Sequence, residues 1–128
     1  MVLDASALIA VLLEEPGFRL LVERAGKSDI VLVGAPTVFE ASLVLAGRIK
    51  SDAGSCLTGL LDSMRAEIVP FGAEHFHVAL EAFLRYGKGR HPAKLNFGDC
   101  MSYAVASLAD LPLLYTGTDF SKTDIQSA

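Results

Sequence analysis

With 128 residues, 52% of them hydrophobic, 20% charged and 8% aromatic, the chain has enough apolar material for one compact domain over residues 1–128 and too much for a disordered one. Its longest apolar run, Ala5 to Leu13, is bracketed by Asp4 and by Glu14 and Glu15, well short of the roughly 18 residues a bilayer span needs, so no membrane association is expected. A formal charge of −4 excludes a protein that coats nucleic acid by bulk electrostatics.

In chain order, Met1–Leu3 reads as a short strand running into an alanine- and leucine-rich helix from Asp4 to Leu13. Pro16 and Gly17 break that pattern, and Phe18–Arg24 resumes it as a second helix. The β-branched run Ile30–Val33 predicts a strand buried on both faces. Pro36 and Thr37 open a helix over Val38–Ile49, and another follows from Ala53 to Arg65. Glu67–Pro70 is a short strand, and Ala73–Arg85 is a helix with Phe76, Ala79, Leu80 and Phe83 on one face. Tyr86–Asn96 is irregular, Gly98–Asp110 helical, Leu113–Tyr115 the last strand, and Gly117–Asp119 a turn. Strands alternating with helices predict an α/β fold, a three-layer α/β/α sandwich around a central, mostly parallel sheet.

In such a sheet ligands bind beyond the carboxyl ends of the strands, which singles out four acids: Asp4, Glu40, Asp99 and Asp119. Each has an ordinary explanation. Asp4 suits an N-cap, Thr37 to Glu40 spells a capping box, Asn96 and Asp99 suit a capped first turn, and Asp119 suits a turn. Capping alone does not require four carboxylates at the same sheet edge. Carboxylates within a few ångströms repel unless a cation joins them, and oxygen-only donors select a hard divalent ion, Mg²⁺ or Mn²⁺, suited to phosphoryl chemistry.

Four segments carry a family resemblance: Val2–Leu8, Pro36–Ala41, Phe97–Ala104 and Leu114–Ile125, with the signatures Asp4-Ala5-Ser6, Thr37-Val38-Phe39-Glu40, Phe97-Gly98-Asp99 and Thr116-Gly117-Thr118-Asp119. They resemble, in order and over the whole chain, the four blocks of PIN-domain ribonucleases, and among these the VapC toxins of VapBC toxin–antitoxin pairs. The resemblance implies a Mg²⁺- or Mn²⁺-dependent endoribonuclease with catalytic acids at Asp4, Glu40, Asp99 and Asp119. It puts the metal chiefly on Asp4 and Asp99, with Ser6 and Thr116 in support. It further implies 5′-phosphate and 3′-hydroxyl products, a homodimer and a small antitoxin that occludes the acidic pocket. Thr118 departs from the Asn or Asp that many relatives carry before the last acid.

Between Glu81 and Asp99 lie Arg85, Lys88, Arg90 and Lys94 with no acid among them, followed at once by Asp99, so this segment is the candidate RNA contact. Tyr86, His91 or Phe97 would stack on an unpaired base. His75 and His77 are two apart on a helix, point to different faces, and do not form a zinc pair. Cys56 and Cys100 lack metal or disulfide spacing, and Cys100 reads as a packed thiol. Phe39, Leu43, Met64, Phe76 and Phe83 read as core in preference to interface, while the helices Phe18–Arg24 and Val38–Ile49 offer a groove for the antitoxin and part of the dimer surface. No basic leader is visible at the start of the sequence, and a cytoplasmic site of action is expected. The alternative is a catalytically weakened PIN-like module that binds RNA or protein, kept open by Thr118. A phosphoacceptor receiver domain is disfavoured, because Asp4 has no second acid beside it.

Overall fold

The computed structural model describes residues 1–128 as a four-stranded, wholly parallel sheet with helices on both faces. The elements are β1 Val2–Leu3, α1 Ala5–Leu12, α2 Phe18–Gly26, β2 Leu32–Gly34, α3 Ala35–Ala46, α4 Ala53–Ser63, β3 Glu67–Val69, α5 Ala73–Tyr86, α6 Phe97–Ala109, β4 Leu113–Leu114, and a 3₁₀ turn over Asp119–Lys122. The sandwich expected from strand–helix alternation is thus the one found.

Strand order is β3-β2-β1-β4, with Val2 opposite both Leu32 and Leu113. The chain winds outward from β1 through β2 to β3, then returns to place β4 on the other side of β1. This reversal makes a crevice at the carboxyl ends of β1 and β4, where open parallel sheets bind ligands.

Two apolar clusters hold the layers. One gathers Leu3, Leu8, Val33, Leu45, Leu57 and Leu61 among α1, α3 and α4; the other gathers Val2, Tyr86, Leu95, Tyr103, Val105 and Phe120 beneath α5 and α6. Successive strand residues point to opposite faces, so Val2 and Leu3 enter different clusters. Burying apolar surface stabilises by about 25 cal/mol per Å², and these two clusters supply most of it.

Several boundaries differ from expectation. The helix expected to begin at Val38 begins at Ala35 with Pro36 in its first turn, where the missing N–H costs nothing, and it ends at Ala46. The strand expected over Ile30–Val33 lies at Leu32–Gly34, in register with β1. Tyr86 belongs to α5, its ring buried in the second cluster. The larger correction concerns side chains assigned to the core. Phe39, Leu43, Phe76 and Phe83 are exposed, Phe39 by 65%, while Met64 is half-buried against the first cluster. Helical spacing identifies a common face, but which layer that face meets is a tertiary matter.

Candidate active site

Asp4 sits directly after β1 in the crevice and is only 4% exposed. It caps α1: its Oδ2 accepts the Ser6 backbone N–H at 2.9 Å and the Ser6 hydroxyl at 2.6 Å. The Ser6 oxygen in turn accepts the Thr116 backbone N–H at 3.0 Å, tying the end of β4 to the start of α1. Thr116 therefore acts through its amide. The capping reading of Asp4 holds and is compatible with the site reading, because capping uses Oδ2 and none of these bonds falls on Oδ1.

Asp99 stands in the first turn of α6. The Asn96 side chain accepts the Asp99 N–H at 3.0 Å while the Asn96 N–H donates to Asp99 Oδ2 at 2.8 Å, a reciprocal cap that locks the rotamer. Here too the bond falls on Oδ2 and leaves Oδ1 for other partners.

Glu40 reaches the cluster by a different route from the capping box. The cap residue of α3 is Gly34, and Thr37 lies inside the helix, fully buried, with its hydroxyl 3.1 Å from that of Ser102 on α6. Glu40 is thus free of any capping duty, and its carboxylate lies against Gly98, where a Cβ atom would overlap it. Asp119 opens the 3₁₀ turn beyond β4, exposed, and that turn is anchored by buried Phe120, whose ring meets Tyr115 with centroids 5.0 Å apart. Thr118 makes no side-chain capping bond to the turn.

The acids sense one another. Burial, followed by the charges of Asp4 and Asp119, pushes the Asp99 carboxyl up to about 6 against the Asn96 hydrogen bond that favours its charged form. Burial, then Asp4, then Asp99, raise Glu40. The other three acids thus lie within electrostatic reach of Asp99. No three acidic, His or Cys side chains stand close enough to form a complete ligand set by themselves. The donors still fit the divalent ion implied by the resemblance: they are oxygen-only, mutually repelling, and the free Oδ1 atoms of Asp4 and Asp99 satisfy the one or two carboxylates that Mg²⁺ commonly takes while keeping its waters.

The four cations expected to meet RNA divide. Lys88, Arg90 and Lys94 are exposed on the loop after α5, which is closed by a bridge between Gly87 and Leu95. Arg90 lies over the Phe83 ring, 5.7 Å from its centroid. Arg85 differs: it is bound 2.8 Å from Asp124 and packs over the Tyr86 ring at 4.7 Å. Of the aromatics proposed to stack on a base, Tyr86 is buried, His91 meets it edge-on at 5.2 Å, and Phe97 is 77% exposed beside the acids. His75 accepts the Gly72 N–H at 3.3 Å, a local cap. The Cys100 thiol, pushed up to about 11 by burial and then by the Asp99 charge, stays protonated at neutral pH and is no nucleophile.

A family model described as "PIN domain" matches residues 1–126. The chain belongs to the PIN-domain family. Among curated PIN-domain relatives it is 41% identical to Ribonuclease VapC36 of Mycobacterium tuberculosis, with 98% of this chain and 91% of that protein covered. It is 37% identical to Ribonuclease VapC of Mycolicibacterium smegmatis, covering 98% of this chain and 97% of that one. Identity at this level over nearly full length places it with the VapC ribonucleases. In three dimensions it is similar to VapC20 of Mycobacterium tuberculosis, described as a sarcin-ricin loop cleaving toxin, with a TM-score of 0.79 over 99% of this chain and 97% of that one. That likeness, at 18% identity, concerns the fold. No helix is long and apolar enough to cross a membrane.

Sequence reading overlooked three tertiary features: Gly98 against the Glu40 carboxylate, the buried Thr37–Ser102 pair, and the Arg85–Asp124 pair that withdraws Arg85 from the candidate RNA contact. A signal for the pair was present, since Thr37 and Ser102 each lie three residues from an acid on a helix, but in Thr37 that spacing spells a capping box equally well.

Proposed function

We propose that this VapC-family chain is the toxin of a toxin–antitoxin pair and an endoribonuclease that hydrolyses RNA in the acidic crevice with one Mg²⁺ or Mn²⁺ ion held by Asp4 and Asp99. The observation that carries the reading is the convergence of carboxylates on Asp99 near the sheet's reversal point, where burial first and the charges of Asp4 and Asp119 after it push Asp99 up to about 6, and burial, then Asp4 and Asp99, raise Glu40. A metal-free protein gains nothing from such repulsion; a cation turns it into affinity. When bound, the ion supplies an acidified water and neutralises charge on the phosphate. Asp4 is held by Ser6 and Asp99 by Asn96, so neither needs to reorganise on binding. Glu40 accepts the proton of the attacking water, its raised affinity for protons suiting that task, and Asp119 orients the leaving side. No side-chain nucleophile enters, and the products carry 5′-phosphate and 3′-hydroxyl ends.

The substrate's backbone crosses Lys88, Arg90 and Lys94, exposed cations that lead into Asp99. Arg85, committed to Asp124, leaves this set. The protein acts in the cytoplasm as a homodimer, and its partner is a small antitoxin. In support, α2 exposes Leu20 and Val22 and α3 exposes Phe39 and Leu43, apolar faces of the kind that partner helices and second copies cover.

Cleavage of structured RNA should require Mg²⁺ or Mn²⁺ and be abolished by EDTA, by Asp4→Asn and by Asp99→Asn, read by gel and by end-group analysis of the products. Undiminished cleavage in excess EDTA overturns the mechanism.

A further inference from the structure

Three successive positions of α3 and its cap meet α6 in a ladder. At Gly34 a Cβ atom would stand 3.0 Å from Val105 Cγ2; at Thr37 the hydroxyl is 3.1 Å from that of Ser102; at Glu40 the carboxylate occupies the space that a side chain on Gly98 would take. The α3 positions are three apart, one face of a helix, and the α6 partners run backwards as 105, 102 and 98, so the two helices pass in opposite senses with their closest rungs aligned. Thr37 and Ser102 are both fully buried from solvent, and their hydroxyls are each other's partner. A hydrogen bond in such surroundings has a narrow range of lengths, and leaving either hydroxyl without its partner is costly, so the bond sets the register of α3 on α6.

From this geometry we propose that Thr37, Ser102 and Gly98 are positioning residues that hold the Glu40 carboxylate over the first turn of α6, facing Asp99; the inference rests on Glu40 being an acid of the proposed site. Glu40 follows the hydrogen-bonded rung by one turn, and Asp99, fixed by its Asn96 cap, precedes it by one turn, so a shift of the rung moves Glu40 relative to Asp99. Gly98 admits the carboxylate from the other side. The atoms that a new Cβ would overlap belong to the free end of a flexible side chain, so Gly98→Ala displaces Glu40 and leaves the fold standing.

The test is a double-mutant cycle on RNA cleavage and on Mn²⁺ binding to the metal-free protein, with thermal melts to verify folding. Gly98→Ala is expected to lower kcat by roughly tenfold to a hundredfold with KM unchanged, since an acid misplaced by about an ångström loses orientation and not substrate affinity. Thr37→Val and Ser102→Ala should each lower kcat in the same manner to a smaller extent, Thr37→Ser should restore it, and Mn²⁺ affinity, set by Asp4 and Asp99, should stay nearly unchanged. In a Glu40→Ala background none of these changes should lower kcat further. Equal losses with and without Glu40, or losses carried by KM, overturn the positioning role. If Glu40→Ala cleaves as well as wild type, the site reading of Glu40 fails and the proposal with it. If Glu40→Ala is impaired and Gly98→Ala is not, the positioning role alone fails. Should Gly98→Ala melt near ambient temperature, the Thr37→Val and Thr37→Ser arms of the cycle decide.

Discussion

Asp99 meets two opposed demands. Its Oδ2 accepts the Asn96 N–H and so helps to start α6, yet its charge is penalised by burial and by Asp4 and Asp119. A folded-state carboxyl at about 6, above the ordinary 3.8, costs folding stability wherever the unfolded chain would be ionised and the folded group resists it. The cost is absent below pH about 4, grows as pH rises through the interval to about 6, and is complete above it, on the order of 2–3 kcal/mol. Asp99→Asn removes that cost while the amide oxygen still accepts from Asn96, and it loses about 0.3–1 kcal/mol of helix N-terminal charge stabilisation. In chelator at pH 8 the variant should therefore be more stable than wild type by about 1–2 kcal/mol, an advantage that vanishes at pH 4. With Mn²⁺ the order should reverse, because an ion that binds only the folded state stabilises wild type more. Denaturant melts at the two pH values, with and without metal, check both signs. A variant less stable in chelator at pH 8 would make Asp99 a helix-start residue and nothing more.

Among the elements, the end of α5 and the last residues of the chain are joined by Asp124, which accepts from Arg85 at 2.8 Å and from the Tyr103 hydroxyl at 2.8 Å. The Arg85 pair is largely exposed, and such pairs contribute about 0–1 kcal/mol. The Tyr103 bond involves a buried ring, and losing its acceptor leaves a hydroxyl stranded at about 1–3 kcal/mol. Arg85→Ala should thus shift a urea melt slightly and Asp124→Ala substantially, with neither changing the salt dependence of RNA binding. Lys88→Glu together with Arg90→Glu should do the reverse: unaltered stability, weaker RNA binding, and a log–log salt slope reduced by about two, or about one per lost phosphate contact. An unchanged slope would reduce the loop to a solvated surface.

At the scale of the molecule, a sheet only two or three residues deep puts its helices to work on both faces and leaves apolar side chains uncovered. Phe39, Leu43, Phe76, Leu80, Phe83 and Phe97 stand exposed on α3, α5 and α6, more than an isolated small domain ordinarily carries. Light scattering should find a dimer at micromolar concentration, Phe39→Ser with Leu43→Ser should shift it toward monomer without lowering the melting temperature, and a co-expressed antitoxin should copurify. A wild-type monomer at high concentration contradicts the dimer; a neighbouring antitoxin that does not copurify contradicts the partner.

Much of this arrangement is legible in the linear chain because it depends on local chemistry. Apolar runs punctuated by Pro16, Gly17 and Pro36 mark strands and helices, Asn96 announces the start of α6, and an acid just beyond a strand is placed at the sheet edge by connectivity alone. Other features depend on which surfaces meet, and local spacing is blind to that. The spacing from Thr37 to Glu40 satisfies a capping box and an interior helix turn equally, and the choice went to the interior because Thr37 finds Ser102, 65 residues away. Phe39 and Phe76 have the periodicity of core residues and lie outside, since α3 turns Thr37, Ala41 and Leu45 inward and α5 turns Ala79, Ala82 and Tyr86 inward. Arg85 reads as a free cation until Asp124 returns to it across 39 residues. Local pattern thus singled out the four acids proposed for the site, while long-range packing decided how they are held and which of the neighbouring cations are already committed to a partner.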